Sequence, residues 1–116
     1  MHMVKLRTAA VDRVFSALAD PTRRSVVELL GSGPRRAGEL ATRTRTSPPA
    51  MSRHLRVLLD AGIVTDERPK EDARARVFRL RPESMRAVND WLERLQKEWD
   101  AQLRSFKQHV ERRKKR

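Results

Sequence analysis

The chain has 116 residues, a formal net charge of +12, 38% apolar and 4% aromatic content, and no cysteine. That length suits one compact domain with an added arm or helix, and the missing thiols exclude disulfides and thiolate metal sites. A basic excess this large suits a polyanionic partner, either nucleic acid or an acidic membrane surface, and so lean an apolar content points to a core completed by a second subunit.

No apolar run approaches membrane-spanning length and no signal peptide is visible, so no membrane partner and a cytoplasmic location are expected. From Thr8 to Ala19 the pattern is helical, with Val11, Val14, Phe15 and Leu18 on one face. Asp20-Pro21 breaks that helix and opens the next, Asp20 as N-cap and Pro21 at the first helical position. This second helix covers about Pro21 to Leu30, buries Val26, Val27 and Leu30, and ends at Gly31 in a Gly-Ser-Gly-Pro turn. Ala37 to about Thr44 is a short third helix with Leu40 and Ala41 inward.

After a tight Arg45-Thr46-Ser47 connection, Ser47 caps a fourth helix that begins Pro48-Pro49, where missing N–H groups cost nothing. It runs to about Ala61 and stops at Gly62. Met51, Leu55, Leu58 and Leu59 share the core face. The opposite face carries Pro49, Arg53, Arg56 and Asp60, with Ser52 and His54 at the edges. An ordinary amphipathic surface helix has the same pattern; the surroundings decide. Between Pro34 and Leu58 stand six arginines and one acid, Glu39, where a solvated surface mixes the signs. A short helix, a turn and a basic amphipathic helix form a helix-turn-helix, whose arginines suit base edges in a major groove.

Ile63 to Arg68 and Arg76 to Leu80 are predicted strands joined by a polar loop, the wing of a winged helix. Arg74 and Arg76 are placed to reach a phosphate or the minor groove; Glu71 and Asp72 favour a solvated tip instead. Pro82 opens the last element. Met85, Val88, Leu92, Leu95, Trp99, Leu103, Phe106 and Val110 recur every three or four residues, close to a heptad seam. A helix from Pro82 to Arg112 is about 45 Å long at its usual rise, too long for so small a domain to cover. Its distal half is expected to pack on a partner chain; the other arrangement folds it back along its own domain. Trp91 lies off the seam, positioned for a contact with the first helix. The organisation expected is therefore a DNA-binding domain over residues 8–81, a dimerisation helix over 82–112 and a basic tail over 113–116.

The segments ALADPTRRSVVELL, GELA, SPPAMSRHLRVLLDAGIV and RVFRL, in that order, resemble the ArsR/SmtB family of bacterial winged-helix repressors from about Val14 to Leu80. The resemblance implies a mainly α fold with a small β-hairpin (α-α-α-α-β-β-α), dimeric through its first and last helices. It implies a homodimeric repressor, with double-stranded DNA as partner. Carried over by position, the DNA-reading residues are Ser47, Pro49, Ala50, Ser52, Arg53, His54 and Arg56. The dimer-forming positions on the two helices are Val11, Phe15, Met85, Val88, Leu92, Leu95, Trp99, Leu103 and Phe106. Metal sensing, common in that family, departs from the pattern here. The third-helix cysteines are absent, and His2, His54 and His109 lie in separate elements, whereas zinc needs three or four converging ligands. No metal and no cofactor are expected, and no inducer is identified. The stretch WLERLQKEWDAQLRSF resembles a subgroup that does not sense metals. An enzyme is disfavoured by the lack of an acid pair, a Cys/His pair or a phosphate-binding glycine loop. The alternative to a sequence-specific repressor is a nonspecific architectural nucleic-acid binder, for which the charge alone suffices.

Overall fold

A computed structural model describes residues 2–114, with side chains from residue 9 onward. Five helices, α1 (His2–Leu18), α2 (Pro21–Leu30), α3 (Ala37–Arg43), α4 (Pro48–Asp60) and α5 (Arg86–Lys114), surround strands β1 (Arg35–Arg36), β2 (Val64–Glu67) and β3 (Val77–Leu80). Helix α1 begins six residues before the expected start, and α5 begins later than Pro82, because Pro82–Met85 forms a 3-10 turn ahead of it. Helix α5 runs through Arg113 and Lys114 of the expected tail; Lys115 and Arg116 lie outside the described residues.

The helix starts follow local chemistry. The Asp20 carboxylate accepts the Arg23 backbone N–H at 3.1 Å, with Pro21 beginning α2. The Ser47 hydroxyl accepts the Ala50 N–H at 3.3 Å, with Pro48 beginning α4. Gly31 ends α2 in right-handed geometry, and the reversal falls instead at Gly33, where φ is +136°.

Helices α3 and α4 stop by the same device with different residues. At the end of α4, Gly62 (φ +74°) donates to Leu59 O and Ile63 donates to Leu58 O, both at 3.0 Å. At the end of α3, Arg45 (φ +55°) donates to Thr42 O at 3.2 Å and Thr46 to Ala41 O at 2.9 Å. Both are Schellman turns, whose left-handed residue is usually glycine. An arginine there costs about 1–2 kcal/mol.

The sheet order is β1-β3-β2, antiparallel throughout, with Val64 opposite Leu80, Asp66 opposite Phe78, and Arg35 also paired with Phe78. Strands β2 and β3 are shorter than expected, and β1 was not legible in the sequence, since two residues carry no periodicity. The core gathers Val14, Val26, Leu40, Met51, Leu58, Ile63 and Phe78 between α1–α4 and the sheet. From α5 only Val88 enters it. Trp91 meets Phe15 of α1 edge to face, ring centroids 5.5 Å apart, the contact its off-seam position predicts. Beyond that point α5 stands away from the domain, so the molecule measures 74 × 34 × 22 Å.

Candidate nucleic-acid interface

Helix α4 buries Met51, Leu55 and Leu58 and turns Pro49, Ser52, Arg53 and Arg56 to the surface. Arg53 and Arg56 make no ion pair among the described residues, so both guanidinium groups stand free on one face. Ser47 is exposed, but its hydroxyl is spent on capping, and Ala50 behind it is half-buried. Arg45 (φ +55°) is also exposed, three residues ahead of Pro48, which begins α4, and a helix N-terminus favours phosphate. No sequence signal marks that φ, because the turn's glycine is missing.

His54 behaves differently from the rest of the expected reading set. It is half-buried, its Nδ1 lies 3.2 Å from Arg23 Nη1 and 4.0 Å from Asp20 Oδ1, and it faces α2. Capping of the Arg23 N–H and the nearby Arg23 guanidinium hold the Asp20 carboxyl below the usual carboxylate range. Its ionised form therefore stabilises α2 above the ordinary aspartate range, and that stabilisation is lost as pH falls through the lower folded value. Thermal unfolding between pH 2 and 5 is expected to fall more steeply for the wild type than for Asp20→Asn, which keeps an acceptor that does not titrate. Parallel curves would mean that the cap carries no acid dependence.

In the wing, the Arg74 N–H donates to Asp72 Oδ1 at 3.0 Å, which ties the turn and leaves the Arg74 side chain exposed. Arg76 is engaged instead: Nη2 and Nε donate to Asp66 Oδ2 at 2.6 and 3.0 Å, and its cation lies 5.0 Å from the Phe78 ring centroid. The sequence expectation of a phosphate contact at Arg76 meets a side chain already paired across β2 and β3. Arg79 is paired likewise with Glu67.

The positions expected in a dimer separate into two sets. Val11 and Val88 are buried within their own chain, and Leu95 is half-buried. Phe15, Met85, Leu92, Trp99, Leu103 and Phe106 are exposed, Leu103 at 64% and Phe106 at 67%. Among the described residues no three His, Cys, Asp or Glu side chains group in reach of a metal ion, and no helix is long and apolar enough to cross a membrane.

A helical core, a capped basic helix after a tight turn and a three-stranded sheet with a protruding hairpin define a winged helix-turn-helix DNA-binding protein. Residues 18–67 match the helix-turn-helix domain family. The HTH-type transcriptional regulator Rv2034 of Mycobacterium tuberculosis is 41% identical over 100 residues, which span 86% of this chain and 88% of that protein. The transcriptional repressor SdpR of Bacillus subtilis is 40% identical over 58 residues, 50% of this chain and 64% of that one. Among solved structures, an ArsR-like transcriptional regulator from Rhodococcus sp. RHA1 aligns with TM-score 0.73 and 33% identity, covering 87% of this chain and 92% of that chain. The chain belongs to the ArsR family of winged helix-turn-helix transcriptional regulators.

Proposed function

We propose that this regulator is a homodimeric repressor that binds an inverted-repeat operator, with α4 in the major groove of each half-site. The observation that carries the reading is the free Arg53–Arg56 face of a helix anchored by an apolar back. Arg53 reads a base edge, flanked by Ser52 and Pro49. Arg56, one turn farther along, meets the groove wall, and Ser47 and Ala50 bring the capped N-terminus against the backbone. Arg45 and Arg74 meet phosphate outside the groove. Repression is supported by the name of the SdpR relative. The partner chain covers the exposed seam of α5 together with Phe15, so residues 82–112 serve dimerisation and residues 8–81 serve DNA binding.

The test is a titration against an operator duplex, recovered by selection from random-sequence DNA, and against its scrambled counterpart at several salt concentrations. A specific repressor keeps a large preference for the selected site, and a charge-only binder keeps little. Arg56→Ala or Arg74→Ala is expected to weaken both duplexes alike and to reduce the slope of log affinity against log salt by about one. A loss confined to the operator would make that residue a base reader instead.

Zinc, cadmium or arsenite at micromolar concentration is expected to leave operator affinity unchanged, because the chain lacks cysteine and its histidines lie in separate elements. A stoichiometric bound metal that weakens DNA binding would overturn this.

A further inference from the structure

One side chain ties the reading helix to the end of α1. Arg23 is the third residue of α2. Its Nε–H donates to Ala17 O at 2.5 Å and its Nη2 to Ser16 O at 3.4 Å, both carbonyls of the last turn of α1. Its Nη1 reaches His54 Nδ1 on α4 at 3.2 Å. The Asp20 cap holds the Arg23 backbone at the same point. A single planar fork thus joins three helices, and all three guanidinium nitrogens are engaged within the chain. The last turn of a helix leaves acceptors open to such donors; the Ser16 carbonyl also accepts the Ala19 N–H at 3.3 Å. The bond to His54 requires Nδ1 as the acceptor, which the neutral ring with its proton on Nε2 provides.

We propose that Arg23 is a positioning residue for DNA reading: with α4 seated by Met51, Leu55 and Leu58, it steadies through His54 the rotation of α4 about its own axis, and so the direction in which Arg53 leaves the surface. This rests on the reading of α4 as the DNA-reading helix. His54 and Arg53 are adjacent, so holding one holds the azimuth of the other. A rotation of about 20° moves a side-chain atom at the helix periphery by on the order of 2 Å. That displacement exceeds the tolerance of a hydrogen bond to a base edge, while a phosphate contact through bulk charge survives it. The geometry also makes the link between the helix proposed to face the partner chain, α1, and the helix proposed to face DNA, α4. Lysine would not substitute for Arg23, because it lacks the rigid fork that reaches three acceptors at once.

The experiment compares wild type, Arg23→Gln, Arg23→Lys, His54→Ala, His54→Asn and the Arg23→Gln/His54→Ala double variant. Each is titrated on the selected operator and on the scrambled duplex, well below the lowest unfolding temperature of the set. Arg23→Gln and His54→Ala are each expected to reduce the operator-to-scrambled ratio by about tenfold, with the double variant no worse than the poorer single. His54→Asn, which keeps an acceptor near the Nδ1 position, restores most of the ratio, and Arg23→Lys does not. Additive losses, an unchanged ratio with only a lower unfolding temperature, or equal losses on both duplexes rescued by lysine would each overturn the proposal. His54→Ala carries the test by itself if Arg23→Gln does not fold. Should Arg53→Ala relax the ratio while Arg23→Gln and His54→Ala leave it intact, only the positioning role fails. Should the wild type show no preference at all, the reading of α4 fails with it.

Discussion

Trp99→Glu is expected to convert the proposed dimer into a monomer at micromolar concentration and to lower operator affinity about 10²–10⁴-fold, the range lost when two linked sites must bind independently. Trp99, Leu103 and Phe106 are each more than half exposed, on a helix that stands away from its own domain. Large apolar side chains in register along one face call for a cover, because burying each contributes about 1.5–3 kcal/mol. Helix α5 spends Val88 on its own core and Trp91 on Phe15, so the distal seam is what remains for a partner. A carboxylate at Trp99 would be buried there without a counter-charge, which costs several kcal/mol. Leu95→Glu, half-buried at the inner end of the seam, is expected to act in the same direction. Light scattering or sedimentation of wild type and variants checks the assembly. A monomeric wild type at micromolar concentration would mean that the seam serves another purpose.

Arg53→Ala is expected to cost about 1–3 kcal/mol on the operator and to relax preference at one base position per half-site. Arg53 is exposed, with no ion pair among the described residues, at the middle of the basic face, one turn in from the capped N-terminus, where repressor helices meet base edges. Bidentate recognition of guanine is specific because the guanidinium fork matches two acceptors that only that base presents together. The operator half-sites of a two-fold dimer are expected with centres about one helical turn, or a multiple of it, apart. Titration on operator, single-substitution and scrambled duplexes distinguishes the cases. Equal losses on all of them would reduce Arg53 to a phosphate contact and withdraw the base-reading role of α4.

Some elements were legible from short stretches because their signals are local. Ser47-Pro48-Pro49 and Gly62 bracket α4 in the sequence as they do in space, since capping, proline at a helix start and a left-handed stop each depend on neighbouring residues alone. Asp20-Pro21 marks the start of α2 for the same reason. The periodic burial of Met51, Leu55 and Leu58 and the long apolar stripe of α5 follow from 3.6 residues per turn. The family resemblance, its helix-turn-helix and the charge concentrated there could thus be found without coordinates.

What only the tertiary structure decided are pairings between residues far apart in the chain. Strand β1 exists because Arg35 and Arg36 meet Phe78 and Val77 more than forty residues later. His54 sits on the edge of the basic face by its position, but packing of α4 on α2 gives its ring to Arg23. Arg74 and Arg76 look alike in the sequence, yet the antiparallel register places Asp66 within reach of Arg76. The α3–α4 turn holds Arg45 in a backbone conformation that its residue type disfavours, and the carbonyls of Ala41 and Thr42 that require it belong to the preceding helix. The sequence by itself determined where helices begin and end and which faces are apolar, because those are near-neighbour properties. Which cations remain free was decided by long-range contacts, because an arginine's availability depends on which acids, carbonyls and rings the fold brings to it.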